Sequence, residues 1–193
     1  MSRPAIFIDR DGTLSHEVGY VNHASRFRLY PFSVDAVRLV NRAGYLAVVV
    51  TNQAGVARGY FPESVIHEVH ADLRDAMEAG GARLDAIYFC AHHPTVGEPP
   101  YRRDCDCRKP RPGMLRRAEA ELGADLAQSW VVGDRHGDLR LAWGVGARGA
   151  LVRSGYGRGE LAHHASSWPR PPDLVADQLL EAVQGILDGG GPG

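Results

Sequence analysis

The sequence is short of lysine: among its 22 basic residues Lys109 is the single lysine, and the other 21 are arginines. Charge of one sign is missing too, because 23 acidic residues bring the formal net charge to −1. Such a chain lacks the general positive field that draws nucleic acids or anionic membranes to a protein. We therefore expect neither partner, and any phosphate recognition must depend on a few cations placed locally.

Cysteine is also scarce, with three residues at positions 90, 105 and 107. An odd number cannot complete a disulfide framework, and the sequence has neither a secretory hydrophobic segment nor an apolar run of about 18 residues, which a membrane-spanning helix needs. We expect a reduced protein in the cytoplasm. A length of 193 residues with 44% hydrophobic composition suits one globular domain with a sizeable core.

Short apolar runs alternate along the chain with helical patterns. Runs rich in β-branched residues cover 5–8, 46–50, 87–89, 130–132 and 150–152. Continuous runs of this kind are typical of strands buried on both faces of a parallel sheet. Helical patterns start at a capping Ser33 and end before Gly44, and recur over 65–77, 112–122, 139–143 and 174–187. The alternation predicts an α/β fold with a doubly wound, mostly parallel sheet.

We expect residues 1–187 to form a single domain, because no linker divides the chain into two cores. Three prolines mark 166–173 as a surface loop, and 188–193 is predicted to be a disordered tail. The irregular stretch 90–112 is longer than most connections in compact domains. Loops of that length are usually functional or held in place by additional bonds.

Carboxylates follow two of the predicted strands. The first strand leads directly into Asp9-Arg-Asp11-Gly-Thr, and Asp134 follows the strand 130–132. A ligand crevice lies at such strand ends in α/β sheets. If the strand 130–132 neighbours the first strand, these three side chains converge on an oxygen-rich site suited to Mg²⁺. Taken alone, Asp-x-Asp-Gly also describes a simple turn. The recurrence of polar residues at neighbouring strand ends favours the functional interpretation.

Two further segments would supply groups that bind phosphate. The second strand ends in Thr51-Asn52-Gln53, where a hydroxyl and backbone N–H groups can hold a phosphoryl oxygen, although a threonine at a strand end is also common without any such role. Arg108 and Lys109 supply cations. A single lysine in a chain that otherwise uses arginine indicates a place where a compact point charge is needed.

The cysteines form the pattern C-x-H-x12-C-x-C with His92. Three thiolates (Cys90, Cys105 and Cys107) and one imidazole make a closed Zn²⁺ site of the structural kind. Residues two apart in an extended chain point the same way, which selects His92 over the adjacent His93. The alternatives are free thiols or a disulfide from Cys90. We favour zinc, which would fix the loop 90–112 and support the cations at its end.

Together these segments resemble the haloacid dehalogenase superfamily of phosphotransferases. The resemblance implies that Asp9 is the nucleophile, forming an aspartyl-phosphate, and that Asp11 is first the acid and then the base. It also implies that Thr51 and Lys109 hold the phosphoryl group. Asp134 would bind Mg²⁺ together with Asp9 and the backbone carbonyl of Asp11.

Within this superfamily the chain is similar to the D-glycero-D-manno-heptose 1,7-bisphosphate 7-phosphatases, in order and register, over the motifs at 9–13, 19–21, 51–59, 90–94 and 105–114. The similarity implies a monomer without a large cap domain that removes the C7 phosphate of a small sugar bisphosphate, giving heptose 1-phosphate for nucleotide-heptose synthesis. The implied substrate contacts are Arg10, Glu17, Val18, Gly19, Tyr20, Asn52, Gln53, Ala54, Arg108 and Arg135. Arg135 departs from the family pattern, which usually has a lysine there.

Two alternatives remain open. The first is a phosphatase that acts on histidinol phosphate or on another small sugar phosphate. Histidinol-phosphate phosphatases share the Asp-x-Asp-Gly-Thr motif and a similar zinc loop, and the sequence separates the two substrates poorly. The second alternative is a binding domain, stabilised by zinc, that recognises a phosphorylated partner without turnover. The presence of all five predicted catalytic and metal residues argues against it.

Overall fold

The computed structural model describes residues 2–189. Its strands are β1 (Ala5–Ile8), β2 (Leu46–Asn52), β3 (Ala86–Cys90), β4 (Trp130–Gly133), β5 (Arg148–Val152) and β6 (Leu174–Ala176). They form one sheet in the order β3-β2-β1-β4-β5-β6, and every neighbouring pair is parallel. The predicted α/β class with a parallel sheet is confirmed.

Helices cover both faces of this sheet. They are α1 (Ser33–Arg42), α2 (Glu63–Ala79), α3 (Gly113–Leu122), α4 (His136–Trp143), α5 (Gly157–His163) and α6 (Leu179–Leu187). Ile6 and Ile8 of β1 pack in a core with α1, α2 and α6, whereas Ala5 and Phe7 pack in a second core with α3 and α4. Successive side chains of a strand point to opposite faces, so a strand covered on both sides reads as one continuous apolar run.

The position of β1 determines where a ligand can bind. This strand lies between β2 and β4: the chain adds β2 and β3 on one side of β1 and then returns past it to form β4 on the other side. Such a reversal of strand order opens a crevice at the carboxyl ends of the strands. The segments that follow β1 and β4 and the end of β2 therefore meet at one place.

The predicted helix over 174–187 is wrong in its first part. Leu174–Ala176 forms the edge strand β6, in which Val175 pairs with Leu151. The helix α6 begins only at Leu179. Periodicity cannot distinguish a short apolar run in a strand from one in a helix, and pairing with β5 decides the outcome here.

Other helix boundaries also differ from the prediction. Ser33 lies inside α1, whose N-cap is Phe32, and the Ser33 hydroxyl donates to the carbonyl oxygen of Leu14 at 2.6 Å. Helix α4 begins at His136, three residues before the predicted start. Helix α5 occupies a stretch where the sequence offered no helical signal.

Of the predicted tail, Asp188 and Gly189 lie within the described residues and 190–193 lie outside them. In the stretch 2–189, the helices are either too short or too polar to cross a membrane.

Candidate active site

A cavity of about 540 Å³ opens at the carboxyl ends of β1, β2 and β4. Most of the predicted site residues line it: Asp9, Asp11, Glu17, Gly19, Tyr20, Thr51, Asn52, Gln53, Ala54, Arg108, Lys109 and Arg135. Asp134 lies beneath this surface, fully buried. Arg10 and Val18 are predicted contacts that do not line the cavity.

Lys109 is enclosed by oxygen atoms. Its Nζ donates to Oδ1 of Asp9 at 2.7 Å, to Oδ1 of Asp138 at 2.7 Å and to the carbonyl oxygen of Val50 at 3.0 Å. Burial by itself would lower the pKa of Lys109, but Asp138 and Asp9 raise it above its usual value. The side chain is therefore a permanent cation against the predicted nucleophile.

The carboxylates here outnumber the positive charge. Oxygen atoms of Asp9, Asp134 and Asp138 lie within 4.8 Å of one another. Burial, partly offset by Lys109, raises the pKa of Asp9 to about 7. Burial and the neighbouring Asp9 and Asp138 raise the pKa of Asp134 to about 8. A divalent cation would relieve this crowding, because carboxylates are the ligands that Mg²⁺ prefers.

One oxygen of Asp134 is free for such a cation. Oδ2 accepts a hydrogen bond from the backbone N–H of Tyr156 at 2.8 Å, whereas the buried Oδ1 has no hydrogen-bond partner among the described residues. A buried carboxylate oxygen without a partner is costly unless a metal or water satisfies it. These residues therefore fit a magnesium ion.

Two glycines make room for the Asp134 carboxylate. Gly12 and Gly155 both have positive φ angles, 87° and 56°. A Cβ atom added to either would lie 2.1 Å from Oδ2 of Asp134. Side chains at these positions would collide with the carboxylate and also strain the backbone.

The carboxylate of Asp11 accepts hydrogen bonds from three side chains, of which the Ser15 hydroxyl is the most distant, at 3.4 Å from Oδ1. Arg10 donates from Nε to Oδ1 at 3.1 Å and from Nη2 to Oδ2 at 2.8 Å. Gln53 donates from Nε2 to the same Oδ2 at 2.8 Å and to the hydroxyl of Thr51 at 2.8 Å. The Arg10 side chain is only 1% exposed. The side chain faces Asp11 and does not line the cavity, where the predicted substrate contact would lie.

Val18 also differs from the prediction. It lies in the loop that brings Glu17, Gly19 and Tyr20 to the cavity, but its carbonyl oxygen accepts from Nη2 of Arg26 at 3.2 Å. Val18 therefore helps to hold this loop in place, while its neighbours in the sequence line the cavity.

The four predicted zinc ligands come together at the end of β3. The Sγ of Cys105 lies 3.5 Å from that of Cys90 and 3.3 Å from that of Cys107, and Nδ1 of His92 lies 3.4 Å from Sγ of Cys107. All four donor atoms lie within 4.8 Å of one another. Three sulfurs and one nitrogen this close form a donor set that suits tetrahedral Zn²⁺.

This cysteine cluster is tied to the catalytic cavity. Arg108 directly follows Cys107 and donates to the carbonyl oxygen of His92 at 3.2 Å. The backbone N–H of Lys109 donates to Oδ1 of Asn52 at 3.0 Å, and Nδ2 of Asn52 donates back to the Lys109 carbonyl at 3.2 Å. The cluster therefore helps to fix Arg108 and Lys109, two of the cationic side chains that line the cavity.

Four cavity residues escaped the sequence analysis: Gly137, Asp138, Tyr156 and Glu160. Asp138 lies four positions after Asp134, in the first turn of α4, and this spacing was the available signal. No sequence pattern pointed to Tyr156. Its ring lies under the guanidinium of Arg135, with Cζ 3.7 Å from the ring centroid, and Glu160 accepts a hydrogen bond from the backbone N–H of His136.

The parallel α/β sheet with Asp9, Asp11, Lys109 and Asp134 at its crevice defines a phosphatase of the haloacid dehalogenase class. The family model Hydrolase_like ("HAD-hyrolase-like") matches residues 106–182. A crystal structure of D,D-heptose 1.7-bisphosphate phosphatase from B. bronchiseptica, complexed with magnesium and phosphate, is similar over 96% of this chain and 98% of that one, with a TM-score of 0.83 and 32% identity.

Comparison with related proteins shows which family of this class the chain belongs to. The D-glycero-beta-D-manno-heptose-1,7-bisphosphate 7-phosphatase of Photorhabdus laumondii is 40% identical over 187 residues, which cover 95% of this chain and 96% of the relative. The enzyme of the same name from Escherichia coli K12 is 40% identical over 186 residues, covering 96% and 94%. The chain belongs to the D-glycero-beta-D-manno-heptose-1,7-bisphosphate 7-phosphatase family, which confirms the resemblance and excludes a binding module without enzymatic activity.

Proposed function

We propose that this enzyme hydrolyses the C7 phosphate of D-glycero-β-D-manno-heptose 1,7-bisphosphate, giving heptose 1-phosphate for nucleotide-heptose synthesis. The observation that carries the proposal is the contact of Lys109 with Asp9 beside the held carboxylate of Asp11. A nucleophile, a cation and an acid lie together in one cavity, as phosphoryl transfer requires. The names of the relatives specify the β anomer, and we propose the same anomer here.

The reaction would take place in two steps. In the first, an oxygen of Asp9 attacks phosphorus, the bond from phosphorus to O7 breaks, and Asp11 gives its proton to the departing oxygen. In the second, Asp11 takes a proton from water, whose oxygen attacks the aspartyl-phosphate and releases phosphate and free Asp9. Thr51 and Lys109 would hold the phosphoryl oxygens during both steps.

Two metal ions would support this chemistry. Asp9, Asp134 and the backbone carbonyl of Asp11 would hold Mg²⁺, which when bound neutralises charge on the carboxylates and the phosphoryl oxygens. The orphaned Oδ1 of Asp134 supports this assignment. Zn²⁺ would be held by Cys90, His92, Cys105 and Cys107 and would have a structural role.

A bisphosphate needs a second site for the phosphate that is kept. Arg108 and Arg135 line the same cavity as Lys109. A guanidinium binds phosphate through two parallel hydrogen bonds, and we assign the C1 phosphate chiefly to Arg108. The ring of Tyr156 packs against the guanidinium of Arg135 and helps to hold it in place. We further propose that the protein works as a cytoplasmic monomer whose single domain spans 1–187.

Asp9→Asn tests the nucleophile. We expect it to abolish Mg²⁺-dependent phosphate release, whereas Asp35→Asn, at an exposed carboxylate of α1, leaves the rate unchanged. Both variants are compared with the parent enzyme by continuous phosphate detection at matched protein concentration. Turnover retained by Asp9→Asn would remove Asp9 from this role.

The substrate is tested separately by comparing kcat/KM for the β and α heptose bisphosphates and for histidinol phosphate. We expect the β heptose bisphosphate to be preferred. In Arg108→Ala we expect KM to rise for the bisphosphate more than for a monophosphate, because the lost group binds the phosphate that is not cleaved. A preference of about tenfold or more for histidinol phosphate would overturn the substrate assignment.

A further inference from the structure

The guanidinium of Arg10 has a third partner besides the two oxygens of Asp11. Its Nη1 lies 3.2 Å from Nε2 of His70, a residue 60 positions further along the chain. A guanidinium has only N–H donors, so Nε2 of His70 must accept this hydrogen bond. The ring proton of His70 is then on Nδ1.

His70 lies in the middle of α2 and is 7% exposed. The ring of Phe89 on β3 packs against it edge to face, with centroids 5.6 Å apart. Burial and the charge of Arg10 lower the pKa of His70 to about 3. The imidazole is therefore neutral near pH 7, the form that can accept from a cation.

The three contacts of Arg10 fix the plane of its guanidinium. Nε and Nη2 face Asp11 on one edge, and Nη1 faces His70 on the other. Without an acceptor at position 70, Nη1 would be a buried donor with no partner, and the side chain would turn to satisfy it. The Asp11 carboxylate would then lose its two hydrogen bonds from Arg10 and keep those from Gln53 and Ser15.

We propose that His70 is a positioning residue: its neutral imidazole holds Arg10, and Arg10 aims the Asp11 carboxylate at the oxygen that leaves phosphorus. His70 does not line the cavity, so it acts only through Arg10. The inference rests on the proposed role of Asp11 as acid and base. Small displacements of such a group reduce rates strongly, because proton transfer needs hydrogen-bond distance.

The test compares three variants on two substrates. His70→Leu removes the acceptor, His70→Gln keeps an acceptor oxygen, and His67→Leu makes the same change one turn earlier, at a side chain that is 64% exposed. The substrates are an alkyl phosphate that the parent enzyme hydrolyses and p-nitrophenyl phosphate, whose leaving group needs little protonation. The measured quantity is kcat/KM, which reports the steps up to phosphoryl transfer.

We expect His70→Leu to lower kcat/KM by about tenfold for the alkyl phosphate and by less than about threefold for p-nitrophenyl phosphate. His70→Gln should stay within about threefold of the parent on both substrates, and His67→Leu should match the parent. Equal losses of His70→Leu on both substrates would indicate a general structural defect and overturn the proposal. An unchanged rate on the alkyl phosphate would overturn it as well.

A measurement on the unaltered protein covers the case in which His70→Leu does not fold. ¹⁵N NMR of the histidine rings reports which nitrogen carries the proton, and we expect a protonated Nδ1 and a bare Nε2 at His70. A proton on Nε2 would overturn the proposal. The two proposals fail in distinguishable ways, because loss of the nucleophile role would appear in Asp9→Asn, whereas the His70 comparison uses ratios between active variants.

Discussion

Nζ of Lys109 lies 2.7 Å from Oδ1 of Asp9, although the two residues are 100 positions apart. The single lysine of the sequence thus contacts the residue that we assign as nucleophile. Asn52 holds the Lys109 backbone through two hydrogen bonds, and the cysteine cluster ends directly before Arg108. The backbone of Lys109 is therefore held by the end of β2, two residues after the cysteine cluster.

Replacing Lys109 should disable the enzyme. In Lys109→Met we expect kcat to fall by about 10² to 10³, because the transferred phosphoryl group loses its point charge in a buried site. Arg116→Met, at a side chain that is 56% exposed on α3, is the control and should retain the parent rate. Steady-state kinetics of phosphate release measure both, and a Lys109→Met enzyme within tenfold of the parent would contradict the assignment.

Gly155 and Gly159 offer a matched pair of glycines only four residues apart. Gly155→Ala should lose most of its activity and unfold at a lower temperature, because the new Cβ would lie 2.1 Å from Oδ2 of Asp134 and φ is positive. Gly159→Ala has open space around its Cβ within α5 and should be more stable by about 0.5 to 1 kcal/mol. Thermal unfolding and phosphate release are measured on both variants. Similar behaviour of the two would contradict the close approach of Gly155 to the Asp134 carboxylate.

The adjacent histidines test the zinc site. Protein purified without chelator should contain about one Zn²⁺ per chain. His92→Ala should lose that metal and raise KM, because the cluster supports Arg108. His93→Ala should keep it, since Nε2 of His93 faces Arg58 at 3.3 Å and lies outside the cluster. Mass spectrometry measures the zinc content of the parent and of both variants. A parent protein that contains no zinc would disprove the site.

The stability of the fold should depend on pH through His70. Its pKa is about 3 in the folded protein against a usual value of 6.5, so between these values the unfolded chain binds the extra proton. The charged and titratable groups near it are Arg10, Asp11, His67 and Arg74. Stability is then full above about pH 6.5 and decreases as the pH falls, by at most about 1.4 kcal/mol per pH unit.

His70→Gln removes the contribution of His70 to the pH dependence of stability, because glutamine does not titrate. Urea unfolding at pH 7 and pH 5 should therefore show a larger loss of stability in the parent than in His70→Gln. Equal losses in the two proteins would mean that His70 titrates normally in the folded state. The two pH values lie above the range in which most carboxylates become protonated.

Much of the fold could be predicted from local patterns. The run at 5–8 is apolar at every position because both faces of β1 are covered, and this pattern alone indicates a buried parallel strand. The spacing of Cys90, His92, Cys105 and Cys107 likewise predicted a cluster that the structure brings together. The edge strand β6 was missed, because three residues carry no periodicity that separates a strand from the start of a helix.

The amino-acid sequence by itself determined the α/β class, the placement of Asp9, Asp11 and Asp134 at strand ends, and the choice of His92 over His93, whereas the pairing of β4 with β1 brings Asp134 to Asp9. The features determined by the sequence follow from strand periodicity and strand ends, which are local. Only the tertiary structure decided that Arg10 turns away from the cavity towards His70, that Asp138 shares Lys109 with Asp9, and that Tyr156 supports Arg135. Each of these contacts joins residues from different elements, so it depends on how helices pack on the sheet, which no local pattern records.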